Sequence, residues 1–63
     1  MQTGDVIQMN GGEFKVVYLN EKFNEVRIQR TTEPMLVVAG DYNETGIKLM
    51  GWHKFADYKI VKQ

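Results

Sequence analysis

Few residues of this chain have side chains suited to catalysis or metal binding. The first group is a spaced set of oxygen donors. Asp41, Asn43 and Thr45 alternate along the chain, and Gly46 follows them. This spacing is the opening of a calcium-binding loop, which needs a bidentate carboxylate at its twelfth position. Trp52 occupies that position. We therefore interpret the segment as a hydrophilic loop, and we expect no metal ion and no cofactor.

The chain has one histidine, His53, and no cysteine. An activated nucleophile needs a base within hydrogen-bond reach, and a catalytic zinc ion usually has three protein ligands. A lone histidine between Trp52 and Lys54 is more typical of a turn. Because no catalytic motif accompanies it, we expect that the protein is not an enzyme.

Three aromatic residues near the end of the sequence, Trp52, Phe55 and Tyr58, lie at a spacing of three. A small domain needs its large aromatic side chains for burial, so we expect Phe55 in the core. Trp52 follows Gly51 in an irregular segment, and tryptophan is enriched among the anchors of protein interfaces. A further aromatic residue, Phe23, lies at the tip of a predicted hairpin. The predicted partner-binding residues are Phe23, Trp52, His53 and Lys54.

The same segment combines aromatic rings with lysines, which are the ingredients of single-stranded nucleic-acid binding. Residues 1–44 carry a net charge of −3 and residues 45–63 a net charge of +3, an asymmetry that can steer a partner. The alternative hypothesis is therefore a nucleic-acid interface formed by Lys48, Trp52, Lys54, Lys59 and Lys62. Because the net charge of the whole chain is zero, we favour a protein partner.

The stretch from residue 12 to residue 32 organises the chain, and it predicts two strands joined by a polar turn. In the first strand Phe14, Val16 and Tyr18 share one face, while the other face carries Lys15, Val17 and Leu19. Apolar residues on both faces indicate a central strand or a β-bulge that changes which face points inward.

The second strand of this hairpin shows strict alternation. Val26 and Ile28 point to one face, and Arg27 and Gln29 point to the other, which predicts one buried and one solvated face. The predicted core residues from these patterns are Val16, Val26, Ile28 and Ile60.

Shorter elements complete the predicted sheet. Asn10-Gly11 between two apolar runs is a strong hairpin signal, since both residues accept a positive φ. Met35–Ala39 is a continuous apolar run that predicts a buried strand, and one turn of 3₁₀ helix is expected within residues 51–57. The additional strands are predicted at residues 6–9, 35–39, 47–50 and 58–62.

Five or six short strands without a helical period predict one all-β domain over residues 1–63, and curling into a barrel protects the sheet edges. The segments GDVIQMNGGEFKVVYL and NEVRIQR, followed by an irregular turn before YKIVK, resemble the small SH3-like barrels, including the KOW and Tudor-type groups. This resemblance implies a five- to six-stranded SH3-like barrel with one short 3₁₀ turn before the last strand. Barrels of this kind bind peptides, proteins, RNA or DNA.

The composition also indicates where in the cell the protein works. Without cysteines there is no disulfide framework, so we expect a cytoplasmic location. The first ten residues lack the pattern of a signal peptide, and the longest apolar run is too short to cross a bilayer, so we expect no membrane partner. We expect a non-enzymatic module that binds another protein, as would suit a small bacterial or phage-encoded modulator of a host protein. The sequence leaves the oligomeric state open.

Overall fold

Six antiparallel strands form one curled sheet, described by a computed structural model that covers residues 1–63. The order of strands across the sheet is β5-β4-β3-β2-β1-β6, and the curl gives a half-barrel. The all-β prediction is confirmed. The structure has no helix that could cross a membrane. The strands are β1 (Val6–Met9), β2 (Gly12–Asn20), β3 (Glu25–Arg30), β4 (Val37–Asn43), β5 (Gly46–Leu49) and β6 (Lys59–Lys62).

The β2–β3 hairpin at the centre of the sheet contains the β-bulge that the sequence offered as one of two possibilities. Val16 pairs with Ile28, but the next pair joins Tyr18 to Arg27, so Val17 is the extra residue. The bulge reverses the inward face of β2 beyond Val17. Tyr18 consequently lies on the outer face, and the prediction that it shares a face with Val16 is wrong.

The turns that connect the strands follow the predicted chemistry. Asn10 and Gly11 both have positive φ, at 47° and 77°, which confirms the hairpin turn between β1 and β2. At the β2–β3 tip, Asn24 has a φ of 56°, and the Asn20 side-chain oxygen accepts a hydrogen bond from the backbone N–H of Lys22. Asparagine serves at both places because it tolerates the left-handed region and bonds nearby backbone groups.

The core lies on the concave face of the sheet. Val16, Val26 and Ile28 are fully buried there, as predicted. Ile60 was also predicted to be buried, but it is only half-buried and packs at the margin of the core opposite Ile7. The reason is that β6 is an edge strand with a single neighbour. The buried apolar residues are Ile7, Met9, Phe14, Val16, Val26, Ile28, Ile47 and Leu49.

The apolar run Met35–Ala39 is not a buried strand, which corrects the prediction. Strand β4 begins only at Val37, and the Met35 side chain is 96% exposed. Within β4, Val38 packs against the core while Val37 and Ala39 face outward. A single sheet has a core on one side only, so a strand in it buries alternate residues however apolar its sequence is.

The open side of the half-barrel, between β5 and β6, is spanned by one pair of backbone hydrogen bonds. Ile47 N–H donates to the Ala56 carbonyl at 3.0 Å, and Ala56 N–H donates to the Ile47 carbonyl at 2.8 Å. A Cβ atom on Gly46 would lie 2.4 Å from the Ala56 carbonyl oxygen, so this approach requires glycine. Residues 51–57 form turns and bends around this bridge, and the predicted 3₁₀ turn is absent.

Two tyrosines support the same closure. The rings of Tyr42 and Tyr58 lie 6.5 Å apart between centroids, which connects the end of β4 to the segment before β6. Burial, together with the Tyr58 side chain and the negative charges of Glu21 and Glu44, raises the pKa of Tyr42 to about 12.

Truncation of Ile28 to alanine should destabilise the protein severely. Removal of a fully buried isoleucine side chain typically costs about 2–5 kcal/mol, which is comparable with the whole stability of a small domain. We expect Ile28→Ala to be largely unfolded by circular dichroism in conditions where Val61→Ala, at an exposed position of β6, remains folded. Equal denaturation midpoints for the two variants would contradict the assignment of the core.

The raised pKa of Tyr42 predicts a loss of stability at alkaline pH. An ordinary tyrosine in the unfolded chain releases its proton near pH 10, whereas Tyr42 in the folded chain keeps its proton to about pH 12. The folded state therefore binds more protons in this window, and stability falls as the pH rises through it. Denaturant unfolding at about pH 9 and about pH 11 should show a smaller pH dependence for Tyr42→Phe than for the wild type. An equal pH dependence of stability in both proteins would refute the raised pKa of Tyr42.

Candidate functional site

A shallow groove beside the closure contains most of the predicted partner-binding residues. Trp52, His53 and Lys54 line a solvent-open cavity of about 510 Å³. The cavity continues along Phe55 and Ala56, and Asn10 from the β1–β2 turn completes it. We call this cavity the Trp52 groove; it is lined by Asn10, Gly51, Trp52, His53, Lys54, Phe55 and Ala56.

Backbone hydrogen bonds hold the groove segment at both of its ends. At the first end, Trp52 N–H donates to the Leu49 carbonyl at 2.9 Å, and Gly51 has a φ of 92°, a conformation that favours glycine. At the second end, Ala56 is bonded to Ile47. The groove is therefore built from an irregular segment that is fixed to a regular sheet, which is a common setting for binding residues.

The two groove aromatics differ in their surroundings, and only Phe55 departs from its predicted place. Phe55 was expected in the core, but it is 43% exposed and lines the groove. Trp52 is half-buried and packs against the core. Phe55 is exposed because the next residue, Ala56, forms the bridge to Ile47. The Phe55 side chain therefore remains on the solvent side.

Lys54 is the one charged residue among those that line the groove. His53 and Lys54 are both exposed, and no carboxylate is among the lining residues. The only ion pair in the structure joins Lys48 Nζ to an Asp41 carboxylate oxygen at 3.7 Å. The Lys54 ammonium group therefore has no ion-pair partner within this chain.

Phe23 does not belong to the Trp52 groove. Its side chain is 65% exposed at the β2–β3 tip, and the Lys22 ammonium group lies 5.8 Å from its ring centroid. The groove contains Asn10, which precedes β2, whereas Phe23 follows β2. The predicted partner-binding residues thus fall into two places, at opposite ends of that strand.

The lysines of the alternative hypothesis are also divided. Lys48 lies on the outer face of β5 in a second cavity of about 340 Å³, beside Asp41 and Glu25. Lys59 is opposite Gln8, and Lys62 is at the far end of β6. Together with Lys54, the two β6 lysines remain as cations without ion-pair partners, whereas Lys48 is paired.

The oxygen donors that resembled a calcium loop have local partners. The Asn43 side-chain oxygen accepts hydrogen bonds at 2.8 Å from the backbone N–H of Thr45, from the Thr45 hydroxyl group and from the backbone N–H of Gly46. Asp41 is the ion-pair partner of Lys48. These contacts shape the β4–β5 turn, as expected of an asparagine at a turn.

Sequence reasoning did not assign four of the groove residues to the site, namely Asn10, Gly51, Phe55 and Ala56. Asn10 was recognised only as a turn residue, because its proximity to residues 51–56 depends on the curl of the sheet. Phe55 was assigned to the core because of its size alone. Comparison of the chain with protein-family models, curated proteins and solved structures finds no match.

Proposed function

We propose that this protein is a non-enzymatic module that binds another protein through the Trp52 groove. The observation that carries the proposal is a half-buried tryptophan on a firmly bonded segment, beside an exposed aromatic residue and an unpaired lysine. We include in the proposal that the half-barrel is of the SH3-like kind and that it serves as a small bacterial or phage-encoded modulator of a host protein in the cytoplasm.

The arrangement of Trp52 suits an interface anchor. One part of the side chain packs against the core, so its rotamer is restrained before a partner arrives, and less side-chain entropy is lost on binding. Phe55 and Lys54 add an apolar and a charged contact on the solvent side. Tryptophan in such surroundings commonly dominates the binding energy of an interface.

The groove supports binding better than catalysis. His53 is its only residue with a side chain suited to general acid–base work near neutral pH, and no carboxylate or hydroxyl side chain lines the groove with it. A general base needs the group that it activates, and usually an orienting partner, within hydrogen-bond reach. The shallow, open shape also excludes little water, so charged groups there remain screened.

A capture experiment from nuclease-treated bacterial lysate tests the proposal. The wild-type protein should retain one defined protein, and Phe55→Ala should weaken that interaction by about 30-fold, because loss of an interface anchor commonly costs about 2 kcal/mol or more. Lys54→Glu should also weaken it. Phe55 and Lys54 are exposed, so thermal unfolding of both variants should be close to that of the wild type.

Lys62→Glu is the matched control, since it makes the same charge change on β6 outside the groove. Retention of the partner by Lys62→Glu but not by Lys54→Glu would support the Trp52 groove. Equal retention of the partner by Phe55→Ala and by the wild type would overturn the proposed role of the Trp52 groove.

The alternative function, single-stranded nucleic-acid binding, is favoured by the three lysines without ion-pair partners. Lys54, Lys59 and Lys62 would each contact phosphate, while Lys48 is engaged by Asp41. Three phosphate contacts predict that log affinity falls with log salt concentration with a slope of about −2. Binding to labelled oligonucleotides, measured by fluorescence anisotropy over a salt series, checks this value. Undetectable binding at about 50 mM salt would remove the alternative.

A further inference from the structure

The outer face of the sheet carries exposed side chains that neither the core nor the Trp52 groove uses. At its centre Tyr18 and Arg27 lie directly opposite each other in the β2–β3 ladder. Ala39 lies opposite Arg27 on its other side, in the β3–β4 ladder. We call this surface the Arg27 face; it consists of Lys15, Tyr18, Arg27, Val37, Ala39 and Met50.

The Arg27 side chain is exposed, but it is held in one place by a neighbouring ring. Its guanidinium carbon lies 4.8 Å from the centroid of the Tyr18 ring, which is a cation–π contact. The only ion pair in the structure joins Lys48 to Asp41, so Arg27 has no carboxylate partner in this chain. The planar fork of its N–H groups is therefore available to a carboxylate from outside.

Apolar side chains lie beside Arg27 on the β4 side. Val37 and Ala39 point outward from β4 two residues apart, and Met50 N–H donates to the Ala39 carbonyl at 3.2 Å. Met35, two residues before Val37, is 96% exposed, and Met50 is 82% exposed. Exposed apolar patches with polar borders mark interaction sites, and methionine side chains adapt to the shape of a partner.

Two acidic residues border the face at one end. Glu25 and Asp41 are directly opposite each other, two residues along their strands from the row that contains Arg27. Asp41 is paired with Lys48, and Glu25 forms no ion pair with Arg27, whose guanidinium group lies over a ring of β2 instead. The acidic groups therefore limit one end of the face, and its centre is basic.

Lys15 adds a second cation toward the other end. It is exposed and lies opposite Gln29, which is two residues from Arg27 along β3. The nearest carboxylate along β2, that of Glu13, accepts a hydrogen bond from the Thr31 hydroxyl group at 2.9 Å and forms no ion pair with Lys15. Arg27 and Lys15 are thus two cations on adjacent strands, and neither has an ion-pair partner within the chain.

We propose that the Arg27 face binds an acidic, amphipathic α-helix of another protein. A carboxylate of the helix accepts hydrogen bonds from the Arg27 guanidinium group, and apolar side chains three or four residues away on the helix cover Val37 and Met50. The helix is acidic because the cations without partners, Arg27 and Lys15, need anions to pair with. Arginine and tyrosine are also the residue types that commonly anchor an interface.

A helix suits this surface better than other occupants do. The apolar stripe of a helix packs on the open face of a sheet, whereas an extended segment takes its hydrogen bonds from a sheet edge. A second copy related by a two-fold axis at the centre of the face would bring two Arg27 guanidinium groups together. The protein measures 25 × 22 × 20 Å, and a helix of about 15 residues, at about 1.5 Å per residue, spans this distance.

The proposal does not rest on the proposed function of the Trp52 groove. The two surfaces have no residue in common, since the groove is formed by Asn10 and residues 51–56. Each surface can therefore be tested while the other is left intact.

Two matched synthetic peptides of about 15 residues test the proposal. Both carry a leucine stripe and a covalent staple, because a helix of this length is marginal in water. One has glutamates beside the stripe, and the other has lysines at the same positions. In NMR titrations the glutamate peptide should shift the methyl signals of Met35 and Met50, while the buried Met9 and the Trp52 indole N–H are unchanged. It should bind about tenfold or more tightly than the lysine peptide.

Substitution of Arg27 tests the anchor itself. Arg27→Ala should weaken binding of the glutamate peptide by about tenfold or more, and Arg27→Glu should make the lysine peptide the tighter ligand. Lys62→Glu, which makes the same change of charge on β6, is the matched control and should bind both peptides like the wild type. Both positions are exposed, so the circular dichroism spectra of the variants should match that of the wild type.

Several results would overturn the proposal. These are equal binding of the two peptides, no binding of either at about 1 mM, equal effects of Arg27→Glu and Lys62→Glu, or shifts confined to the Trp52 indole. Shifts of the Met35 and Met50 signals with protein concentration, in the absence of peptide, would identify a second copy as the occupant and would also overturn it. Loss of the proposed partner at the Trp52 groove would leave all of these measurements unchanged.

Discussion

The pair of backbone hydrogen bonds between Ile47 and Ala56 is the contact on which the rest of the structure depends. Without it, β5 would be a bare edge, and the segment before β6 would have no fixed path across the opening of the half-barrel. The contact requires glycine at position 46, because a side chain there would meet the Ala56 carbonyl oxygen. Glycine at position 46 therefore permits the close approach that holds Ala56, one of the residues that line the Trp52 groove, against β5.

The small size of the chain explains why so much apolar surface is exposed. Only eight apolar residues are buried, and all of them belong to one cluster on the concave side of the sheet. A chain of this length buries only about 60% of the surface that its unfolded form exposes. It therefore has no second layer to cover the outer face of the sheet. The outward residues of β4 and the residue after β5 have no second layer to cover them, which is why Val37 and Met50 face solvent although their side chains are suited to a core.

Local signals in the sequence predicted the strands and turns well. Features that depend on pairing between distant residues could not be predicted in this way. The Asn10-Gly11 turn and the alternation of Val26 with Ile28 depend on neighbouring residues alone, and both predictions are confirmed. The inward face of β2 was ambiguous, because apolar residues on both of its faces fit either a central strand or a bulge, and the pairing with β3 decides between the two. Phe55 was misplaced for a similar reason: its exposure follows from the pairing of Ala56 across the barrel opening.

The candidate site was predictable in its composition but not in its grouping. Trp52, His53 and Lys54 are consecutive, so any fold would keep them close together. Phe23 was assigned to the same surface on the strength of its type and its place in a turn. The topology separates it from the groove by the length of β2, and only the order of the strands could have shown this.

The segment that closes the half-barrel is also the one that lines the proposed binding surface, the Trp52 groove. Trp52 packs against the core from one side and lines the groove on the other, and Ala56 both lines the groove and forms the bridge to β5. The proposed partner would bind only the closed form, because closure fixes both of these residues. Mass action then makes the partner a stabiliser of the closure, by about 2.7 kcal/mol when its free concentration is about 100 times the dissociation constant. For a domain with so small a core, this is a large fraction of the total stability, so the proposed binding would also stabilise the fold.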